Sequence, residues 1–265
     1  MKLIAPTTPG SNLNRRFSPP LLNSGLLMEY FIGVCLLEVA GLTVEYADGV
    51  QALDSVSFSV GAEENVALIG ANGAGKTSLL LALVGVLKPA RGEIRAEGTV
   101  LDKKNLREIR SRVGMVFQNP DDQLFMPSIY EDIAFGLRSF GWGETGTAER
   151  VNAVLSQLGI GHLAERSPLK LSGGEKRLAA IAAVLAINPV FLLFDEPTAY
   201  LDPRARRNLA ANLSNLPQGK LIATHDLAFA SEICSRVLLL QNGKLVADRG
   251  NELLRDTETL EAAGL

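Results

Sequence analysis

Gly70-Ala71-Asn72-Gly73-Ala74-Gly75-Lys76-Thr77 has the G-x-x-x-x-G-K-[ST] spacing, and how it is read decides the fold. Glycines let successive backbone N–H groups turn inward around an anion, and a helix opening near Lys76 aims the positive end of its dipole at the same point. Lys76 adds a point charge for β- and γ-phosphate oxygens, and the Thr77 hydroxyl, with Ser78 beside it, is placed to ligate Mg²⁺. The candidate polyphosphate-binding residues here are Gly70, Asn72, Gly73, Ala74, Gly75, Lys76, Thr77 and Ser78, with Mg²⁺ as the companion ion. Asn65-Val66-Ala67-Leu68-Ile69 reads as a buried strand before the loop, and Ser78-Leu79-Leu80-Leu81-Ala82-Leu83-Val84 as an apolar helix after it. That strand, loop and helix are the context the motif requires.

Composition narrows what can surround such a loop. The chain has 265 residues, 47% of them apolar and 21% charged, enough for a large α/β domain with a sizeable core. Its 26 basic residues are outnumbered by 29 acidic ones, so the broad positive surface of a nucleic-acid binder is absent. Cys35 and Cys234 lie far apart without metal-ligand spacing and read as ordinary buried thiols in a reducing compartment.

Working outward, Met1 to Ser24 carries four prolines and no hydrophobic period, so residues 1–35 are expected to form a disordered tail. Arg15-Arg16 hints at a twin-arginine export signal, but Pro19-Pro20 interrupts the residues after it. Leu26 to Leu42 is the most membrane-like stretch, yet Glu29 and Glu38 fall inside it, and each carboxylate near a bilayer centre costs about 2–3 kcal/mol. Met28 is a conceivable internal start. The short β-like runs 36–39, 42–46 and 56–60, joined by turns such as Asp48-Gly49, predict an antiparallel β subdomain. Pro89-Ala90-Arg91-Gly92 reads as a turn and 112–117 as a strand. Residues 128–163 read as largely helical, with a loop at 141–146. Helices are predicted at 175–186 and 203–216, strands at 191–194 and 220–223, and a hairpin around Asn242-Gly243 joins 236–240 to 244–246.

Phe191-Leu192-Leu193-Phe194-Asp195-Glu196 is an apolar run ending in two carboxylates. A buried strand stopping there delivers both to the C-terminal edge of a parallel sheet, where open α/β folds bind ligands. Asp195 is the candidate Mg²⁺ ligand and Glu196 the candidate general base that polarises the attacking water. His225 also follows an apolar strand, which places it with the carboxylates.

Leu171-Ser172-Gly173-Gly174-Glu175-Lys176-Arg177 resembles the signature motif of ATP-binding cassette (ABC) ATPases, and its companions follow in the family's order. Gln118 resembles the Q-loop glutamine, Leu201-Asp202 the D-loop, His225 the switch histidine, and Tyr46 the aromatic that stacks on adenine. The resemblance spans about Leu36 to Arg249. It implies a P-loop NTPase core, a mostly parallel sheet with flanking helices, plus an antiparallel β subdomain and a helical signature subdomain at about 119–186 within a domain of 36–265. It also implies catalytic roles for Glu196, His225, Gln118 and Lys76, metal contacts from Thr77, Gln118 and Asp195, and a dimer. In that dimer Ser172, Gly173 and Gly174 of one subunit close over the nucleotide of the other, an electrostatic contribution to γ-phosphate transfer.

Val116-Phe117-Gln118-Asn119-Pro120-Asp121-Asp122-Gln123-Leu124-Phe125 is similar, more narrowly, to the Q-loop of energy-coupling-factor and cobalt/nickel-type importers. This resemblance implies a peripheral subunit on the cytoplasmic face of the cell membrane. It would pair with an identical or paralogous cassette and an integral membrane subunit to import a transition-metal ion or a vitamin. Three features depart from the family pattern: Tyr200 replaces a small residue before Leu201-Asp202, Glu175 stands where glutamine is common, and Thr77-Ser78 reverses a frequent order. The competing readings are a soluble ABC ATPase of DNA repair or translation, disfavoured by the acidic balance, and an exporter ATPase, which the Q-loop sequence argues against.

Overall fold

The structure, a computed structural model, describes residues 35–265, so the expectations made for residues 1–34 lie outside the described residues. Cys35, placed by sequence at the end of the tail, opens the first strand. That strand, β1 (Cys35–Glu45), pairs antiparallel with β2 (Gln51–Gly61) across a turn in which Gly49 N donates to Tyr46 O at 2.9 Å. The three short runs expected here are thus two long strands, irregular where the register shifts between Val39 and Leu42. β3 (Asn65–Ile69) leads into the phosphate loop and α1 (Lys76–Leu83). β4 (Arg91–Ala96) and β5 (Thr99–Val100) then join the first sheet in the order β2-β1-β4-β5. Arg91 and Gly92, expected in a turn, are strand residues, held by pairing of Arg91 with Thr43.

After α2 (Leu106–Arg112), which the sequence did not announce, β6 (Val113–Val116) enters the second sheet. Three helices follow: α3 (Ile129–Ser139), α4 (Glu144–Gln157) and α5 (Gly173–Ala186). The expected loop at 141–146 stops at Gly143. Gly146 lies inside α4, where a Cβ would sit 3.5 Å from the Trp142 ring. The chain closes with β7 (Phe191–Asp195), α6 (Pro203–Ser214), β8 (Gly219–Ala223), α7 (Leu227–Ile233), β9 (Arg236–Gln241), β10 (Lys244–Gly250) and α8 (Thr257–Ala262).

The second sheet has the order β10-β9-β3-β8-β7-β6, parallel except for β10 at one edge. Strand side chains alternate between faces, and here both faces are buried. Ala67, Ile69, Leu192, Phe194, Ile222, Val237 and Leu239 pack with the helices α3 to α7. Val66, Leu68, Phe191, Leu193, Leu221, Leu238 and Leu240 pack with α1 and the antiparallel sheet. Continuous apolar strands follow from that double burial. The turn between β9 and β10 reaches back to the phosphate loop: Gly243 N donates to Ala74 O at 3.0 Å, and Asp54 N donates to Gly243 O at 2.9 Å. Gly243 lies at φ 77, and a Cβ there would meet Ala52 O at 2.8 Å. Only glycine meets both demands.

Near the amino-terminal ends of the parallel strands, Lys220 is 1% exposed and donates to Gln218 O at 2.6 Å, Leu216 O at 3.0 Å and Asn65 Oδ1 at 3.3 Å. Burial pulls its ammonium down from 10.5 to about 8 and pushes the buried Cys234 thiol up from 9.0 to about 12. For Lys220 the folded value lies below the unfolded one, so stability rises as pH climbs from about 8 towards 10.5. For Cys234 the folded value lies above, so its contribution is full below about 9 and is lost as pH rises towards 12. Between pH 7.5 and 9 the lysine dominates. Urea denaturation of the wild type and Lys220→Met at those two pH values should show the wild type gaining about 1 kcal/mol relative to the variant. An identical pH response in the two proteins would contradict a depressed lysine.

Candidate functional site

Four adjacent parallel strands deliver the site. β3 ends in the phosphate loop, β8 in Thr224-His225, β7 in Asp195-Glu196 and β6 in Phe117-Gln118. Their carboxyl ends open into a cavity of about 650 Å³ lined by Tyr46, the loop from Asn72 to Ser78, Gln118, Asp195, Glu196 and His225. The crevice outside the carboxyl ends of the strands is where such sheets bind ligands.

Lys76 is 7% exposed, its Nζ donating to Gly70 O at 2.7 Å and Ala71 O at 3.3 Å and lying 3.9 Å from Glu196 Oε1. A buried ammonium surrounded by oxygens is held in place to meet an anion entering the loop. Gly75 precedes it at φ 106, and a Cβ there would come within 2.6 Å of Ala52 O, so the loop lies directly on β2. Thr77 Oγ1 donates to Asp195 Oδ2 at 2.8 Å, joining residues at the ends of two different strands.

Asp195 is 3% exposed, and its other oxygen, Oδ1, has no hydrogen-bond partner among the described residues. Burial pushes this carboxyl up, the Thr77 hydrogen bond opposes it, the neighbouring Glu196 charge raises it, and Lys76 and Arg177 lower it. A buried, unpaired carboxylate oxygen beside a hydroxyl is a donor set suited to a small, hard divalent cation. No group of three His, Cys, Asp or Glu side chains gathers among the described residues to hold a metal; beside Thr77 and Asp195, the Gln118 side chain on the same cavity wall, phosphate oxygens and water would complete the ligand set. That matches the habit of Mg²⁺ at nucleotide sites.

Glu196 takes a left-handed backbone, φ 44, and is 7% exposed. Its Oε2 accepts from His225 N at 3.2 Å and lies 2.8 Å from His225 Nδ1. The His225 side chain is 63% exposed, so one end of the ring meets the carboxylate and the other meets solvent. The Tyr46 hydroxyl shares a 2.8 Å hydrogen bond with Ser78 Oγ, which fixes the ring on the cavity wall.

Ser172, Gly173 and Gly174 are not brought to this cavity. They open α5, where Ser172 and Glu175 form a capping box: Ser172 N and Oγ donate to Glu175 Oε2 at 2.8 and 2.7 Å. Ser172 faces instead a separate cavity of about 650 Å³ with His162, Glu175, Arg204 and Asn208. Sequence reasoning misses Val50, Gln51 and Ala52 in the main cavity wall, along with Ala199 and Tyr200. The first three are on or next to β2, and only the long-range contact of β2 with the loop brings them in. Tyr200 stands out in the sequence as a departure from the family pattern, but nothing there marks it as a wall residue.

A family model described as "ABC transporter" matches residues 53–199. A putative ABC transporter ATP-binding protein of Geobacter sulfurreducens is 44% identical over 232 residues, covering 85% of this chain and 93% of that one. The energy-coupling factor transporter ATP-binding protein EcfA of Carboxydothermus hydrogenoformans is 42% identical, with 86% of each chain covered. Among solved structures, cbiO1 from Clostridium perfringens, part of the ABC transporter complex cbiONQ, superposes with a TM-score of 0.77 at 33% identity, covering 86% of this chain and 94% of that one. A dimeric ATP-binding cassette in a post-hydrolysis state with ADP and Pi gives a TM-score of 0.73 at 25% identity, covering 82% and 99%.

Tyr200 is 97% exposed with φ 62. The left-handed region costs a non-glycine residue about 1–2 kcal/mol, more than the roughly 0.5–1 kcal/mol of extra chain freedom that glycine brings. Tyr200→Gly should therefore raise the melting temperature by about 1–3 °C, read by calorimetry. A lower value would show that the tyrosine side chain stabilises the loop.

Proposed function

Since this chain belongs to the ABC transporter family and is an ATP-hydrolysing cassette, we propose that it powers an energy-coupling-factor type importer. In this reading it works as a cassette dimer with an identical or paralogous partner, on the cytoplasmic face of the membrane, attached to an integral transport subunit. Among the described residues no helix is long and apolar enough to cross a membrane, so any spanning role falls to another chain or another segment. The cargo is a transition-metal ion such as cobalt or nickel, or a vitamin. The similarity to EcfA and cbiO1 and the Gln118 to Phe125 sequence support that choice over an exporter.

The observation that carries the reaction is the convergence of Lys76, Asp195, Glu196 and His225 at one sheet edge. Backbone N–H groups of the phosphate loop and Lys76 Nζ take the β- and γ-phosphates, and the Tyr46 ring takes the adenine face. Thr77, Asp195 and Gln118 are the residues that would hold Mg²⁺, which would supply positive charge against the phosphates. Glu196 accepts a proton from water as the water oxygen bonds to the γ-phosphorus. The bond from that phosphorus to the bridging oxygen breaks, and ADP leaves with the electron pair. His225 holds the Glu196 carboxylate in line through their 2.8 Å contact. Ser172 and the Gly173 and Gly174 amides act on the γ-phosphate of the partner's nucleotide, which accounts for their distance from their own cavity.

Lys76→Ala should abolish hydrolysis and weaken ATP binding, as seen by steady-state ATPase assay and nucleotide titration. Near wild-type activity would reject the phosphate-loop assignment. Glu196→Gln keeps the shape and loses the basicity, so hydrolysis should slow by about 10²–10⁴-fold while ATP binding survives. The variant should accumulate as an ATP-dependent dimer on size-exclusion chromatography. Wild-type turnover by this variant removes Glu196 as the base. An inactive variant that stays monomeric, even when mixed with a paralogous cassette, removes the dimer. Copurification from membranes tests the importer reading: recovery with an exporter's membrane domain, or with no integral protein, would overturn it.

A further inference from the structure

Arg177 lies two residues past Glu175 in α5 and is 2% exposed. Its Nη1 donates to Phe117 O at 2.7 Å and its Nη2 to Gln118 O at 2.6 Å, while Nε has no partner among the described residues. No carboxylate among the described residues lies within ion-pair distance of it. Burial lowers its pKa to about 10, with the charge of Asp195 acting in the opposite direction, so it is a cation at neutral pH. Burying a guanidinium without a paired carboxylate is expensive unless its hydrogen bonds are well made, and here both go to main-chain oxygens at one place.

That place controls how the chain leaves β6. In a strand, successive carbonyls point to opposite sides, whereas the carbonyls of Phe117 and Gln118 both reach one guanidinium. β6 accordingly stops at Val116, and the direction in which Gln118 emerges on the cavity wall is set by a side chain 59 residues further on. Two further contacts fasten the same segment to the same helix. Lys176 Nζ lies 2.6 Å from Asp121 Oδ1, and Gln123 Nε2 donates to Ala180 O at 2.9 Å. Neither of these touches the Gln118 backbone.

We propose that Arg177 is a positioning residue for ATP hydrolysis. Its fork fixes the Gln118 backbone, and it holds Gln118 and the Ser172 end of α5 as one rigid piece. The inference rests on the reading of Gln118 as a Mg²⁺-site residue, and the experiment separates the two.

The test is a double-mutant cycle of Arg177→Met and Gln118→Ala in the full chain, with Arg177→Lys as the conservative variant. ATPase rates are measured as a function of ATP and of Mg²⁺, alongside melting temperature and Mg²⁺-free binding of a fluorescent ATP analogue. For Arg177→Met we expect kcat to fall by about 10–100-fold, since small misplacements of site groups carry costs of that order. Half-saturation by Mg²⁺ should move to higher concentration, while KM for ATP and Mg²⁺-free binding stay within about threefold, as Lys76 and the loop amides are untouched. The double mutant should be no slower than the slower single one, because both changes act through one group. Arg177→Lys, able to serve one carbonyl, should recover part of the loss. Wild-type kcat and Mg²⁺ dependence in a folded Arg177→Met overturn the proposal, as do additive effects with Gln118→Ala. If Arg177→Met does not fold, the cycle with Arg177→Lys decides by the same criteria. Loss of activity in Arg177→Met with none in Gln118→Ala rejects Gln118 as the intermediary, and absence of ATPase activity in the wild type fails the parent reading instead.

Discussion

Burial of the six-stranded sheet on both faces is the constraint on which the rest of this molecule depends. Strands packed on either side can present polar groups only where they end. The carboxyl ends of β3, β8, β7 and β6 are where the loop amides, His225, the two carboxylates and Gln118 emerge. Each of these groups is supplied by a separate stretch of sequence, and the sheet order brings them within reach of one another. The Thr77 to Asp195 hydrogen bond, which spans 118 residues, and the Glu196 to His225 contact, which spans 29, are consequences of that order.

Charge at this edge is arranged to wait for a ligand. Asp195 and Glu196 are adjacent buried carboxylates, with Lys76 close to Glu196 and Arg177 behind Asp195 acting against their mutual repulsion. The balance is incomplete, since one Asp195 oxygen is left without a partner among the described residues. An oxygen buried and unpaired in this way costs stability on its own, a cost that a bound cation would offset. At the amino-terminal end of α5, the Ser172 hydroxyl proton is committed to Glu175 in the capping box. In the dimer reading, a γ-phosphate arriving there must compete with a carboxylate that glutamine would have left uncharged.

Much of the core and the site is legible in the sequence because the signals are local. Asn65–Ile69 matches β3 residue for residue, and the apolar run ending in Asp195 is readable because a doubly buried strand needs no alternation. Other elements are hidden where the signal lies elsewhere in the chain. β4 is a strand because β1 pairs with it, and its alternating polar residues after Pro89 carry turn chemistry locally. The glycines near 141–146 read as one loop, yet Gly146 is helical because the helix is held by packing, which outweighs a single residue's propensity. Tyr46, Gln118 and His225 have meaning only beside the phosphate loop and signature motifs. Arg177 looks like one more charged residue of the polar first turn of α5, and only its 2% exposure and two carbonyl partners distinguish it.

The turn at Asn242-Gly243 fastens the phosphate loop to both sheets by main-chain bonds: Gly243 N to Ala74 O, and Asp54 N to Gly243 O. Because neither bond uses a side chain, most substitutions at Ala74 or Asp54 leave it in place. A one-residue insertion or deletion in the β9–β10 hairpin, by contrast, slips the register and withdraws the prop from the loop. The site therefore tolerates changes of residue identity at Ala74 and Asp54 but not changes in the length of the hairpin.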